Sequence, residues 1–294
     1  MLTFFTKNQV FSMFFYTHIS YAIFVMNSVV EFNINQSPAM ENFFQIFVIS
    51  IIQGITEFLP VSSSAHLNLI SNFFELQKES LILNVSAHTG SLLAVLLFFK
   101  KEIIDFGKNQ KLFFRIIFAS IPLFLFGYLI VKYNLVSDLR TYKVIGWTTI
   151  VFGILLYLAD KFDLGQKIQG NFTTKNAFII GFFQVLALVP GVSRSGIVMT
   201  GARFLKFNRE DAAKISFLMS IPALAGAAIY GIYTLIGEGN FLLNISSILT
   251  VGLSFVFSYI TIKYFLIYLK RFNFNLIIGY RLMLGAIILS IVYL

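Results

Sequence analysis

The chain contains no cysteine, which excludes disulfides, thiolate nucleophiles and zinc–thiolate centres together. Charge is nearly as scarce. Only 12% of the 294 residues are Asp, Glu, Lys or Arg, where a soluble domain carries about 25%. So few charges cannot solvate a globular surface. Hydrophobic residues make up 57% of the chain, and the mean hydropathy is +0.82. The solvent for most of this chain must be lipid.

The net charge of +9 does not point to nucleic acid. A surface that tracks phosphates needs a continuous basic stripe, and here Lys and Arg punctuate apolar runs instead. That spacing is how membrane proteins anchor their cytoplasmic loops. A spanning helix needs about 20 mostly apolar residues, and six segments qualify: 81–99, 112–131, 143–159, 212–235, 243–268 and 275–293.

Two further apolar segments, 43–59 and 176–189, run straight into polar breaks, PVSSSAH at 60–66 and PGVSRSG at 190–196. Each break precedes a stretch too short to span, 66–74 or 196–205. An apolar half-helix, a polar break and a second half-helix describe a re-entrant hairpin. Broken backbone at membrane depth is tolerated only where protein or a water-filled cavity covers it, so two hairpins imply one shared polar cavity. The breaks also repeat. Gln53 and the run Val61 to Ser64 fall on Gln184 and the run Val192 to Ser195 at a constant offset of 131, and Ala94 falls on Ala225.

Loop charge tests that arrangement independently. If the first hairpin enters from outside and the second from the cytoplasm, the inner loops 100–115, 160–175, 206–214 and 263–271 carry 14 Lys and Arg. The outer loops 75–79, 132–143 and 237–242 then carry 4. This is a strong positive-inside bias. The sequence therefore predicts an all-α polytopic membrane protein with about six full spans and two re-entrant hairpins. Its halves, about 40–159 and 171–294, form an inverted repeat with the site near the midplane. Residues 1–39 read as an N-terminal extension of uncertain status to which no function is assigned, and 40–294 as one membrane-embedded catalytic domain.

In the first hairpin Glu57 lies four residues after Gln53, on the same helical face. An ionisable group inside a membrane segment is expensive and marks function by default; the bland alternative is an interfacial Glu satisfied by a hydroxyl. Pro60 ends the helix, and Ser62, Ser63 and Ser64 can cap the next one. His66 follows in its first turn. A lone His is usually a satisfied core residue, but an acid and three hydroxyls beside it favour chemistry.

In the second hairpin, Arg194 at membrane depth requires an anion. That anion is either Glu57, as a structural ion pair, or a ligand phosphate gripped bidentately. Gly191 is placed to let backbone amides approach a ligand. Ser193 and Ser195 sit at a helix start, where free N–H groups favour negative charge. Neither the nucleophile elbow of α/β-hydrolases nor a Walker loop is present. For His88, in the next helix, core packing and substrate contact weigh equally.

At these residues the sequence resembles the undecaprenyl-diphosphatase family of bacitracin-resistance membrane phosphatases. Gln53-Gly54-Ile55-Thr56-Glu57, continuing through Pro60 and Ser63 to His66, is similar to the family's first motif. Pro190-Gly191-Val192-Ser193-Arg194-Ser195 resembles its second, PGxSRSxxT. The likeness runs from about residue 40 to the C-terminus. It implies hydrolysis of undecaprenyl diphosphate to the monophosphate, which recycles the lipid carrier for cell-wall synthesis and confers bacitracin resistance.

The resemblance carries catalytic roles to Glu57, Ser63, His66 and Arg194. Gln53, Ser62, Ser64, Gly191, Ser193 and Ser195 are read as substrate-binding. It also implies a divalent cation, Mg²⁺ or Ca²⁺, on Glu57, and a site open to the outer face of the bacterial inner membrane. The expected partners are the polyprenyl diphosphate and the bilayer, with homo-oligomer formation left open. Val198 stands where the motif has Thr, and Gln53 where some members have Glu, which removes one anionic ligand. The nucleophile stays open between His66, Ser63 and water. The rival reading is a carrier that flips a polyprenyl phosphate, since broken helices in inverted repeats also build transporters.

Overall fold

The computed structural model describes residues 38–73, 80–104, 110–133, 135, 139–162, 165–237 and 245–294. In chain order the helices are α1 (Pro38–Thr56), α2 (Ser63–Phe73), α3 (Ser80–Phe98), the short α4 (Lys100–Ile104), α5 (Gln110–Lys132) and α6 (Tyr142–Asp160). They continue with the one-turn α7 (Ile168–Asn171), α8 (Thr174–Val185) extended by a 3₁₀ turn (Leu186–Leu188), α9 (Arg194–Phe204), α10 (Arg209–Gly237), α11 (Ile245–Leu269) and α12 (Asn275–Tyr293). Among the described residues the β pairing consists of one isolated bridge, Gln166 to Phe207. Contacts divide the chain into two compact units at Gln45. Of the first unit the structure describes residues 38–45, the opening turns of α1; everything below concerns Ile46–Leu294.

Six helices, α3, α5, α6, α10, α11 and α12, are long and apolar enough to cross a bilayer. The protein is thus an all-α multi-pass membrane protein, as the apolar runs predict. α8 is different. Its 12 residues rise about 18 Å, roughly half of a hydrocarbon core, before Pro190 and Gly191 turn the chain. α1 likewise ends at Thr56, just before Pro60, and α2 starts at Ser63. Each half-helix therefore stops where a proline removes a backbone donor. Three spans separate the two hairpins, so hairpins that each enter and leave on one side must enter from opposite sides.

The repeat read from sequence reappears in backbone geometry. Ser62 and Ser193, 131 residues apart, are both non-glycine residues at positive φ, 76° and 71°. Each hydroxyl caps the helix that follows, accepting from Ala65 N at 3.4 Å and from Gly196 N at 3.2 Å. Each also lies 3.2 Å from the hydroxyl two residues on. Packing obeys the same correspondence: α3 lies against α11 as α10 lies against α5, while α3 with α10 and α6 with α12 pair across the pseudo-axis.

Lipid offers no hydrophobic drive between helices, so close backbone approach and hydroxyl bonds must hold them. A Cβ on Gly90 of α3 would collide with the Val251 carbonyl of α11. One turn on, Ser258 donates to Ser91 at 2.9 Å, and Ser254 donates to the Ala87 carbonyl at 2.7 Å. At the other end of the bundle Asp160, buried at the C-terminus of α6, gathers Arg203 of α9 at 3.2 Å and Arg209 of α10 at 2.8 Å. It also accepts from the Phe274 amide just before α12. These helix ends all border loops assigned to the inner side by the charge count.

Candidate active site

The two hairpin loops meet. Ser195, the second residue of α9, donates to the Leu59 carbonyl in the first loop at 2.8 Å. Arg194, beside it, donates through Nη2 to Glu57 Oε1 at 2.5 Å and through Nη1 to the Ser216 carbonyl of α10 at 3.0 Å. Glu57 Oε2 accepts from Gln53 Nε2 and from Ser63 Oγ, each at 3.0 Å. One buried carboxylate therefore joins α1, the N-terminus of α2 and the N-terminus of α9. The placement of Gln53 follows from the helical repeat, since residues four apart share a face.

Of the candidate catalytic residues, contacts bring Glu57, Ser63 and Arg194 together. His66 is held elsewhere. Its Nδ1 lies 2.7 Å from the Ser62 carbonyl, which can only accept, so Nδ1 carries the hydrogen. Its Nε2 then accepts from the Tyr280 hydroxyl of α12 at 2.6 Å, and the two rings stack. Ser62 and Tyr280, and not Glu57, therefore orient His66.

The remaining candidates divide by what occupies them. Gly191, at φ 89°, is needed because a Cβ there would collide with Thr148 of α6. Close loop-to-helix packing thus requires glycine here. The hydroxyls of Ser62 and Ser193 cap helices, and Ser195 is tied to Leu59. Ser64 is exposed beside Ser62. Val198, in the position where the motif carries Thr, is fully buried.

Sequence reading passed over Arg281, which lies midway along α12 in an apolar span. It is completely buried. Its guanidinium donates to Thr149 of α6 at 3.2 Å, to Pro60 of the first loop at 3.1 Å, and to Gly191 and Val192 of the second at 3.1 and 3.0 Å. Three of the four acceptors, Pro60, Gly191 and Val192, are carbonyls of the two loops, where the broken helices leave backbone groups to be satisfied at membrane depth. A lone arginine six residues into a hydrophobic run was the available signal.

Two oxygens decide what else the site can hold. Glu57 is the only carboxylate in it, and no group of three or more His, Asp or Glu is arranged to hold a metal among the described residues. Yet Gln53 Oε1, buried next to that carboxylate, has no hydrogen-bond partner. A carboxylate and an unpaired amide oxygen are hard ligands suited to a cation that takes its other oxygens from a substrate phosphate.

Residues 46–287 match the family model described as bacitracin resistance protein BacA. An undecaprenyl-diphosphatase of Pelagibacter ubique (strain HTCC1062) is 47% identical over 253 residues, covering 86% of this chain and 98% of that relative. Undecaprenyl-diphosphatase 4 of Bacillus thuringiensis (strain Al Hakam) is 39% identical over 255 residues, again 86% of this chain and 98% of the relative. An undecaprenyl-diphosphatase of Jannaschia sp. (strain CCS1) is 34% identical over 264 residues, covering 85% and 98%. With a family model that spans both hairpins and reaches into the last span, and relatives at these identities over most of their length, the chain belongs to the bacitracin resistance protein BacA family.

Proposed function

We propose that this protein hydrolyses undecaprenyl diphosphate to undecaprenyl phosphate and inorganic phosphate. This would recycle the lipid carrier for cell-wall synthesis and underlie bacitracin resistance. The observation that carries the reading is the junction of Arg194, Glu57 and Ser63 where the two loops meet. An anion-binding guanidinium, a carboxylate and a hydroxyl already bonded to that carboxylate are the parts that phosphoryl transfer requires.

The chemistry follows from the bonds. The terminal phosphate competes with Glu57 for the Arg194 fork, and its capture frees Glu57 Oε1. Ser63 Oγ attacks phosphorus as its proton passes to Glu57. The bridging P–O bond breaks, and its electron pair leaves on undecaprenyl phosphate, a stable anion that needs no proton. Water then attacks the phosphoserine, the P–O bond to Ser63 breaks, and Ser63 Oγ takes back the proton held on Glu57, releasing phosphate and restoring both the hydroxyl and the carboxylate. With both ring nitrogens of His66 occupied, Ser63 is favoured over His66 as nucleophile. His66 then braces the Ser62 turn that aims Ser63.

A divalent cation, Mg²⁺ or Ca²⁺, fits beside Glu57 and Gln53 Oε1, where it would neutralise non-bridging oxygens of the diphosphate. The prenyl tail would lie between helices against lipid. The charge bias supports a plasma-membrane protein whose first hairpin, bearing Glu57 and Ser63, enters from the outer side.

The test is phosphate release from undecaprenyl diphosphate by purified protein in detergent, where a gradient-driven carrier has nothing to do. Quenching during turnover, in acid for phosphoserine and in parallel in alkali for the acid-labile phosphohistidine, should trap labelled phosphate on Ser63. Label on His66, or hydrolysis undiminished in Ser63→Ala, would remove Ser63 as the nucleophile.

A further inference from the structure

Outside the bonded cluster stands His88, on α3. Its Nδ1 lies 2.7 Å from the Asn84 carbonyl, one turn earlier, so that nitrogen carries the hydrogen and the ring is fixed. Among the described residues Nε2 has no hydrogen-bond partner, and the side chain is half-buried. This is the opposite of His66, whose two ring nitrogens are both engaged.

The register of three helices sets His88 near the depth of Gln53. Gly54, next to Gln53 in α1, packs against Phe257 and Ser258 of α11; a Cβ there would lie 2.6 Å from Phe257 Cβ and 3.0 Å from Ser258 N. The Ser258 hydroxyl in turn holds Ser91 of α3. His88 stands three residues before Ser91, a rise of about 4.5 Å, beside Ala87, whose carbonyl is bonded to Ser254 one turn earlier in α11. The Glu57 carboxylate lies within electrostatic reach of the imidazole.

We infer that His88 is a substrate-contacting residue whose Nε2 edge hydrogen-bonds a phosphate oxygen of the diphosphate. Such an edge serves in either protonation state: neutral, it accepts from P–OH; protonated, it donates to P–O⁻. Asn84 supplies the preorganisation, because a ring anchored at Nδ1 presents Nε2 without searching rotamers. Arg194 approaches from the second hairpin and His88 from the first half of the repeat, so a two-phosphate headgroup would be gripped from both halves. This inference rests on the phosphatase reading of the site.

The measurement is kcat and KM for His88→Ala, His88→Gln and His88→Leu in detergent, with the melting temperature of each. Binding of a non-hydrolysable methylene-bridged polyprenyl diphosphate is measured in parallel. Losing a hydrogen bond to a charged group should raise KM and the analogue's Kd by about tenfold in His88→Ala and His88→Leu. kcat should change much less, and His88→Gln, whose amide keeps a donor and an acceptor, should recover most of the affinity. An unchanged Kd in His88→Ala, or recovery by His88→Leu rather than by Gln, would show packing alone and overturn the inference. If the wild-type protein binds the analogue but releases no phosphate, the hydrolytic reading fails while the binding comparison still decides the role of His88.

Discussion

Arg194 Nη2 lies 2.5 Å from Glu57 Oε1, joining the two hairpins across 137 residues of sequence. Both side chains are largely shielded, at 13% and 6% exposure, so neither charge is solvated mainly by water. A buried pair of this kind contributes little net stability against a well-packed apolar replacement, while breaking it strands a charge. Its retention in an otherwise hydrocarbon-facing bundle points to use rather than support.

Arg194→Lys should therefore remain folded and lose activity. Lysine keeps the positive charge near Glu57 but cannot span Glu57 and the Ser216 carbonyl, nor offer a phosphate two parallel donors. The expected loss in kcat/KM is on the order of 10²-fold, comparable to removing one preorganised donor from an oxyanion site. Phosphate release measured beside a detergent melting curve checks it. Near-normal turnover would mean that the guanidinium does not hold the reacting phosphate.

The spans, both hairpins and the positions of Glu57, Ser63 and Arg194 were legible because each rests on a local rule: run length, proline position, or an ionisable group out of place. Their convergence was legible only through the repeat, since the offset of 131 makes two loops that must share one cavity. What stayed hidden were bonds between residues far apart in sequence. No spacing rule pairs His66 with Tyr280, 214 residues on. Arg281 was passed over because a cation in α12 is read against its own helix, whereas its acceptors are carbonyls in α6 and both loops. The packing need for Gly191 was hidden for the same reason, since the Thr148 side chain that requires it comes from another helix.

Arg281 should matter more to stability than any other single side chain in the site. Arg281→Met nearly preserves volume but leaves the Pro60 and Val192 loop carbonyls without this donor and Gly191 with only the Thr149 hydroxyl at 3.4 Å, and each orphaned buried group costs about 1–3 kcal/mol before relaxation. A destabilisation of roughly 3–5 kcal/mol is expected, seen as a marked drop in thermal midpoint. Arg281→Lys, with three donors on a single nitrogen, should recover only part of it. A midpoint unchanged in Arg281→Met would show that the loops satisfy themselves without this residue.

The matched turns at Ser62 and Ser193 allow a test in which two effects oppose each other. Holding a non-glycine residue at positive φ costs about 1–3 kcal/mol, and glycine removes that cost while forfeiting only a few tenths as a cap. Ser62→Gly and Ser193→Gly should therefore melt at or above the wild-type temperature. Alanine keeps the strain and loses the cap, so Ser62→Ala and Ser193→Ala should each be about 1 kcal/mol less stable. Should glycine destabilise as much as alanine at either site, the hydroxyl contact to the serine two residues on, not the turn geometry, sets the requirement.

Gln53 gives the sharpest handle on a cation. Its Nε2 is bonded to Glu57 while Oε1 is buried and unpaired, an arrangement that is costly unless something positive meets that oxygen. A hard divalent ion taking oxygen from Gln53, Glu57 and the substrate would do so. Chelator should then stop phosphate release, and added Mg²⁺ or Ca²⁺ should restore it. Gln53→Glu supplies a second carboxylate and should lower the metal concentration for half-activation, whereas Gln53→Leu removes the oxygen and should raise it several-fold. The comparison separates a ligand from a packing residue: a leucine of similar bulk that leaves the metal-activation curve in place would mean that Gln53 only positions Glu57, and that the ion is held by Glu57 and the diphosphate.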